Sequence, residues 1–314
     1  MHVDGWELVK LRTAADGEVR RSNSGTSFLR LGGPEVETEA RTQATLAAHG
    51  YPVPDVVEAG KWEGRYFFVE ESLGESSLHD SALRDVEETG AVRTGTLNAA
   101  TEVSTRLLAA QLRTARPGIT GSQEWMYRAG FVDNVLTENP DLDHARVHDA
   151  LATAGERLGE LPVSHGHLDY GLPNVFPSGV IDWQHHGTAP VGFDVYPMLD
   201  ITAFKGGGTG YTFTREQRRS YTAALDAVSV ELLGSPLSSF VGDFLLVKCF
   251  FFLALMKPKD HGNQRKARKW AYRRALLVQG LESYERHRHI DTGSFPTLDA
   301  FSTTPAEQPP REST

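Results

Sequence analysis

At 314 residues, with 39% hydrophobic and 23% charged side chains, the chain can bury a sizeable core in one large or two small domains. A formal charge of -9 argues against non-specific binding to nucleic acid, and no nucleic-acid partner is expected. The single cysteine, Cys249, excludes an intrachain disulfide and fits a reducing, cytoplasmic setting, and the opening MHVDGWELVK has neither the basic start nor the apolar run of a signal peptide.

From the N-terminus, WELVKLR, EVRRS and TSFLRL are short, partly alternating segments punctuated at Asp16-Gly17 and Asn23-Ser24-Gly25. They predict an antiparallel meander. PEVETEARTQATLAAHG predicts a helix that Pro34 opens and Gly50 closes, with Val36, Ala40, Ala44 and Ala47 at helical spacing. PDVVEAG and RYFFVEES, joined around Glu63-Gly64, add two strands. After Leu73 the pattern becomes helical, in LNAATEVSTRLLAAQL, HARVHDALATAGERLGEL, REQRRSYTAALDAVSVELL and NQRKARKWAYRRALLVQGLESYERH. The change predicts a β-rich unit over 1–72, a helical unit over 73–302 and a disordered tail over 303–314. FVGDFLLVKCFFFLALM is apolar, but Asp243 and Lys248 interrupt it and it falls short of the ~20 residues that span a bilayer. A buried core helix, and no membrane partner, is therefore expected. The basic run Arg265, Lys266, Arg268, Lys269, Arg273 and Arg274 reads as a solvated helix face that could attract an acidic substrate, and Gly206 to Gly210 as a flexible connector.

Between the helical segments lies HGHLDYGLPNVFPSGVIDW, residues 165 to 183, which fits two chemistries. His165, His167 and Asp169 form H-x-H-x-D, a spacing that collects zinc in binuclear hydrolases. His167, Asp169 and Asn174 form H-x-D-x-x-x-x-N, the catalytic-loop spacing of phosphotransferases. Phosphoryl transfer needs a carboxylate to orient the attacking hydroxyl and a divalent metal to neutralise charge, and magnesium prefers hard oxygen ligands. Asp169, Asn174 and Asp182 supply such oxygens within fourteen residues, and a turn at Pro177-Ser178-Gly179 lets VF and VI pair, bringing Asp182 back beside Asn174. The zinc reading needs a histidine directly after Asp169, where Tyr170 stands, and a strand-rich setting that this helical half does not offer.

HLDYGLPNV, GVIDW and GFDVYPML, in that order, with TEARTQATLAAHGYPVP and RYFFVEESLGESSL before them, resemble the aminoglycoside phosphotransferase and choline kinase-like family. The resemblance spans most of residues 20 to 200. It implies an α+β, protein-kinase-like two-lobe fold with a small antiparallel β-rich lobe and a larger helical lobe. It also implies transfer from ATP or GTP, with Mg2+, to a hydroxyl of a small molecule: an antibiotic, sugar, amino alcohol or nucleoside. Asp169 would be the base, and Asn174 and Asp182 the magnesium ligands. Arg30 would grip the nucleotide phosphates where the family usually has lysine, set by Glu39. The backbone of Glu70, Glu71 and Ser72 would be the hinge that receives the base of the nucleotide. Asp194 would brace the catalytic loop, and His167 would hold it. His185 and His186 are candidate substrate contacts, with an exposed loop pair as the alternative. TAADG, ahead of the second strand, has only Gly17 to offer as a phosphate-covering loop. A catalytically inactive kinase-like binding protein is the alternative function, and a monomer or homodimer the expected state.

Overall fold

Five antiparallel strands open the chain: β1 (Trp6–Arg12), β2 (Gly17–Ser22), β3 (Ser27–Gly32), β4 (Val56–Trp62) and β5 (Arg65–Glu71), in the order β1-β2-β3-β5-β4. The structure is a computed structural model that describes residues 5–12, 17–117, 131–204, 209–255, 257 and 263–301. The 303–314 tail, most of the 206–210 connector and Thr13 to Asp16 of the TAADG loop lie outside the described residues. Helix α1 (Pro34–Ala48) joins β3 to β4 across one face of the sheet. The twofold period of a strand sends Leu29, Leu31, Phe67 and Val69 to the other face, packed with Trp6 and Trp62. It leaves Arg30, Phe68 and Glu70 facing α1, where Phe68 packs on Val36 and Ala40. In α1 the buried positions Val36, Ala40, Gln43 and Leu46 recur at three-to-four spacing, so Glu39 and Gln43, four apart, share one flank turned toward Arg30.

The rest of the described chain is mostly helical: α2 (Leu78–Thr89), α3 (Thr94–Arg113), α4 (Phe131–Glu138), α5 (Ala145–Leu158), α6 (Met198–Phe204), α7 (Arg215–Leu233), α8 (Val241–Leu255) and α9 (Gln264–His287). Helix α8 is the axis of this body, buried from Gly242 to Leu253 and touching α4, α5, α6 and α9. By length and composition it could cross a membrane, but its sides are covered by protein, as expected of a core helix. Its two interrupting charges are compensated. Asp243 accepts from Arg157 Nε at 2.8 Å and from the Tyr284 hydroxyl, and Lys248 serves the site described below.

Three helices, α2, α4 and α6, were not anticipated; they are short, and α2 begins in a capping box between Ser77 and Asp80. The basic run is not all solvated face. Arg273 is 4% exposed, because it follows the inner stripe of α9 with Tyr272, Leu276 and Leu277.

Two short ribbons complete the scaffold: β6 (Val163–Gly166) with β9 (Gly187–Pro190), and β7 (Val175–Phe176) with β8 (Gly179–Val180). The second was expected to pair VF with VI. It pairs Val175 with Val180 and Phe176 with Gly179, and the Ile181 N–H continues the ladder to the Asn174 carbonyl at 2.9 Å. This hairpin docks on the chain leaving α1, with the Val180 N–H donating to Pro52 O at 2.7 Å. A Cβ at position 179 would stand 2.6 Å from that same carbonyl oxygen, so the approach requires glycine.

Candidate active site

The loop after β6 is held from below by a buried charged brace. Asp194 is fully buried and accepts from the backbone N–H groups of His167 (2.7 Å) and Leu168 (2.9 Å) and from Gln111 Nε2 (3.1 Å). Lys248, projecting from α8, donates to the Leu168 carbonyl at 2.6 Å and stands 3.5 Å from Asp194. Burial pulls the Lys248 ammonium below its ordinary pKa, and Asp194 opposes that pull. Leu168 is held at φ +66, a left-handed conformation that a leucine adopts only when its surroundings impose it. The brace therefore fixes the backbone next to Asp169 on both sides of the peptide.

His167 ties this loop to the one carrying Asp182. Its Nε2–H donates to the Ile181 carbonyl at 2.9 Å, and its ring stands edge-on to Trp183. Burial lowers its pKa, with Asp194 and the bond to Ile181 opposing that pull. Asp169 is half-buried, and among the described residues no side chain or backbone group is hydrogen-bonded to its carboxylate. The Asn174 side chain donates to the Asp169 backbone carbonyl at 3.1 Å, which leaves its oxygen for another partner. Asp182 is also left-handed, at φ +65, and the Ile181-to-Asn174 ladder bond sets it beside Asn174. The Asp182 carboxylate and the Asn174 amide oxygen are hard donors of the kind magnesium takes, with water and phosphate oxygens to complete the shell. This donor set fits the expected metal.

Above the loop that carries Asp182 lies a row of alternating charges. Arg30 Nε donates to Glu70 at 2.7 Å and its Nη1 to Glu39 at 2.9 Å, and the second Glu70 oxygen accepts from Gln43 at 2.8 Å. The guanidinium is buried at 6% exposure, yet Glu70 and Glu39 hold its pKa above the ordinary value against desolvation. Glu39 accepts a second arginine, Arg12 from the end of β1, at 2.8 Å. Arg12 continues to Gln184 at 3.0 Å and to within 4.0 Å of Asp182.

The hinge residues behave differently from one another. Glu70 turns its side chain inward to Arg30, Glu71 is exposed, and the N–H groups of Glu71 and Ser72 donate to Asp55 and Thr26 at 3.0 and 2.9 Å. His185 is exposed, whereas His186 is half-buried and stacked on His165 with ring centroids 4.7 Å apart, so the two are not an equivalent loop pair. The His165 Nε2 is buried and has no hydrogen-bond partner among the described residues, and burial together with His186 pushes its pKa down to about 4. With His167 Nε2 committed to Ile181, the H-x-H-x-D triad does not converge, and no cluster of three metal-ligating His, Cys, Asp or Glu occurs among the described residues.

Sequence reasoning missed Arg12, Gln43, Gln111, Gln184 and the role of Lys248. A lysine inside an apolar helical run was a readable signal that some buried acceptor must face it. The other four gave none.

The model of the phosphotransferase enzyme family, APH, matches residues 18–227, more than half of the chain. No curated protein matches significantly. Among solved structures, a candidate aminoglycoside phosphotransferase from Ralstonia eutropha superposes with a TM-score of 0.60 at 15% identity, over 90% of this chain and 92% of that one. Plasmodium vivax ethanolamine kinase gives 0.56 at 9% identity, over 88% and 83%, and a glucosamine kinase 0.53 at 15%, over 88% and 80%. At these identities the likeness is one of fold, the α+β two-lobe arrangement of the kinases. The family match is broader evidence, and by it the chain belongs to the APH phosphotransferase enzymes, a family of small-molecule kinases.

Proposed function

We propose that the protein transfers the terminal phosphoryl group of ATP or GTP, with Mg2+, to a hydroxyl of a small molecule. The observation that carries this reading is Asp169: a half-buried carboxylate without a hydrogen-bond partner among the described residues, on a loop whose backbone is fixed by Asp194 and Lys248. A carboxylate positioned but not neutralised can orient an attacking hydroxyl and accept its proton as the new O–P bond forms. Asn174 and Asp182 would hold magnesium, which when bound neutralises the nucleotide phosphates. The base of the nucleotide would sit against Glu70 to Ser72 and meet their carbonyl groups, since the Glu71 and Ser72 N–H groups already donate to Asp55 and Thr26, and Arg30 would act by holding Glu39 and Glu70 in place. An amino alcohol, sugar, nucleoside or antibiotic acceptor is compatible with this arrangement, and a cytoplasmic location accords with it.

The test is a screen of hydroxyl acceptors for phosphate transfer, with Asp169→Asn as control. Loss of the base is expected to lower kcat by about 10^2- to 10^4-fold while Mg-nucleotide binding and the unfolding midpoint stay near wild type. A variant that keeps full transfer rates would remove Asp169 from this role. Stabilisation against heat by zinc alone, and not by Mg-ATP or Mg-GTP, would overturn the reading. Nucleotide binding without transfer to any acceptor would leave the inactive, kinase-like binding protein.

A further inference from the structure

We propose that Arg12, not Arg30, is the cation that contacts the nucleotide's terminal phosphates, and that without Mg-nucleotide it latches Asp182 through Gln184. The inference rests on the kinase reading above and adds Arg12 and Gln184, which that reading does not use. Arg30 is held by two carboxylates: Nε by Glu70 at 2.7 Å and Nη1 by Glu39 at 2.9 Å. Glu70 is held in turn by Gln43, so moving Arg30 would strip a buried acid of its cation. Arg30 is a structural charge, its field more than cancelled by the two acids that hold it.

Arg12 is built to move. One edge of its guanidinium bonds Glu39 at 2.8 Å, but the other bonds only the neutral amide oxygen of Gln184, at 3.0 Å, with Asp182 4.0 Å beyond. Gln184 also donates to Asp182 at 3.4 Å, so a single glutamine bridges the arginine to the proposed metal ligand. The five charged groups in this row, Glu70, Glu39, Asp182, Arg30 and Arg12, sum to one negative charge. A divalent ion at Asp182 would place like charge beside Arg12 and weaken its attraction to that carboxylate. The polyphosphate arriving with the ion offers Arg12 charge-assisted bonds in place of one neutral amide bond. Because Glu39 keeps the first edge anchored, the exchange needs only the outer edge to change partners. Arg12 is also the last residue of β1, the strand end nearest the loop that carries Asp182.

The experiment compares Mg-ATP, or Mg-GTP if the wild type prefers it, with the corresponding nucleoside, which has no phosphates. Arg12→Ala is expected to weaken Mg-nucleotide binding roughly 10- to 100-fold and to leave nucleoside affinity within about twofold. Arg12→Lys should recover part of the loss, since it restores charge without the fork. Unliganded unfolding midpoints show whether either variant is folded, and Arg12→Lys alone can decide if Arg12→Ala is not. Equal loss for nucleotide and nucleoside would make Arg12 an interlobe strut and overturn the inference. So would wild-type nucleotide affinity and transfer in Arg12→Ala, with the kinase reading left standing. A wild-type protein that binds no Mg-nucleotide would overturn both.

Discussion

Lys248→Met tests whether the buried lysine of α8 holds the loop that carries Asp169. Methionine keeps the length and the apolar stem but removes the ammonium, which is fully buried. Two partners are affected. The Leu168 carbonyl loses a 2.6 Å hydrogen bond in a site without access to water, which costs about 1 to 3 kcal/mol. Asp194 loses its cation at 3.5 Å but keeps N–H donors from His167, Leu168 and Gln111, whose dipoles solvate the carboxylate and limit the cost. The removed ammonium no longer has to be desolvated, which offsets part of the loss. The balance is about 2 to 3 kcal/mol of destabilisation, a fall of roughly 4 to 8 °C in the unfolding midpoint. Because the freed carbonyl adjoins Asp169 and Leu168 is held left-handed, phosphate transfer should fall by more than the fraction unfolded explains. The assay is thermal unfolding with transfer kinetics, closed into a double-mutant cycle with Asp194→Asn. Coupling of about 1 kcal/mol or more is expected. A Lys248→Met protein as stable as wild type, or additivity within about 0.5 kcal/mol, would refute the brace.

His165 makes the fold sensitive to mild acid. Its folded pKa is about 4 against an ordinary 6.5, so between those values the unfolded chain takes up a proton that the folded protein refuses. Stability should be unaffected above pH 6.5, fall as pH drops toward 4, and lose nothing further from this group below that. His165→Phe, which preserves the stack on His186, should flatten the loss by about 1 to 2 kcal/mol after solvent screening, read as the difference between the two pH-stability curves; parallel curves would discharge His165 from the effect. Gly179→Ala forces a Cβ against the Pro52 carbonyl and should cost about 1 to 3 kcal/mol. Transfer should drop with it, since Asp182 directly follows the hairpin; a stability within about 0.5 kcal/mol of wild type would show that the contact yields.

What could be read from the sequence here is what lies close along it. Asp169, Asn174 and Asp182 fall within fourteen residues, and the turn that folds them together is written between them in Pro177 to Gly179. The strands of the first sheet announce themselves by alternation and by their turns. The contacts that hold these parts in position join residues far apart: Arg12 meets Gln184 across 172 positions, Lys248 meets Leu168 across 80, and Gln111 meets Asp194 across 83. No periodicity encodes such pairings, and an arginine ending an exposed strand looks like any solvated charge. Arg30 shows the consequence. Against the family's usual lysine it stands out in the sequence as a substitution at the phosphate-gripping position. In the fold its fork spans two acids on different elements, Glu70 of β5 and Glu39 of α1, a span that a single ammonium would have to meet without a fixed geometry. The unusual residue is thereby explained by a buried acid forty positions away, while the second oxygen of Glu39 goes to Arg12.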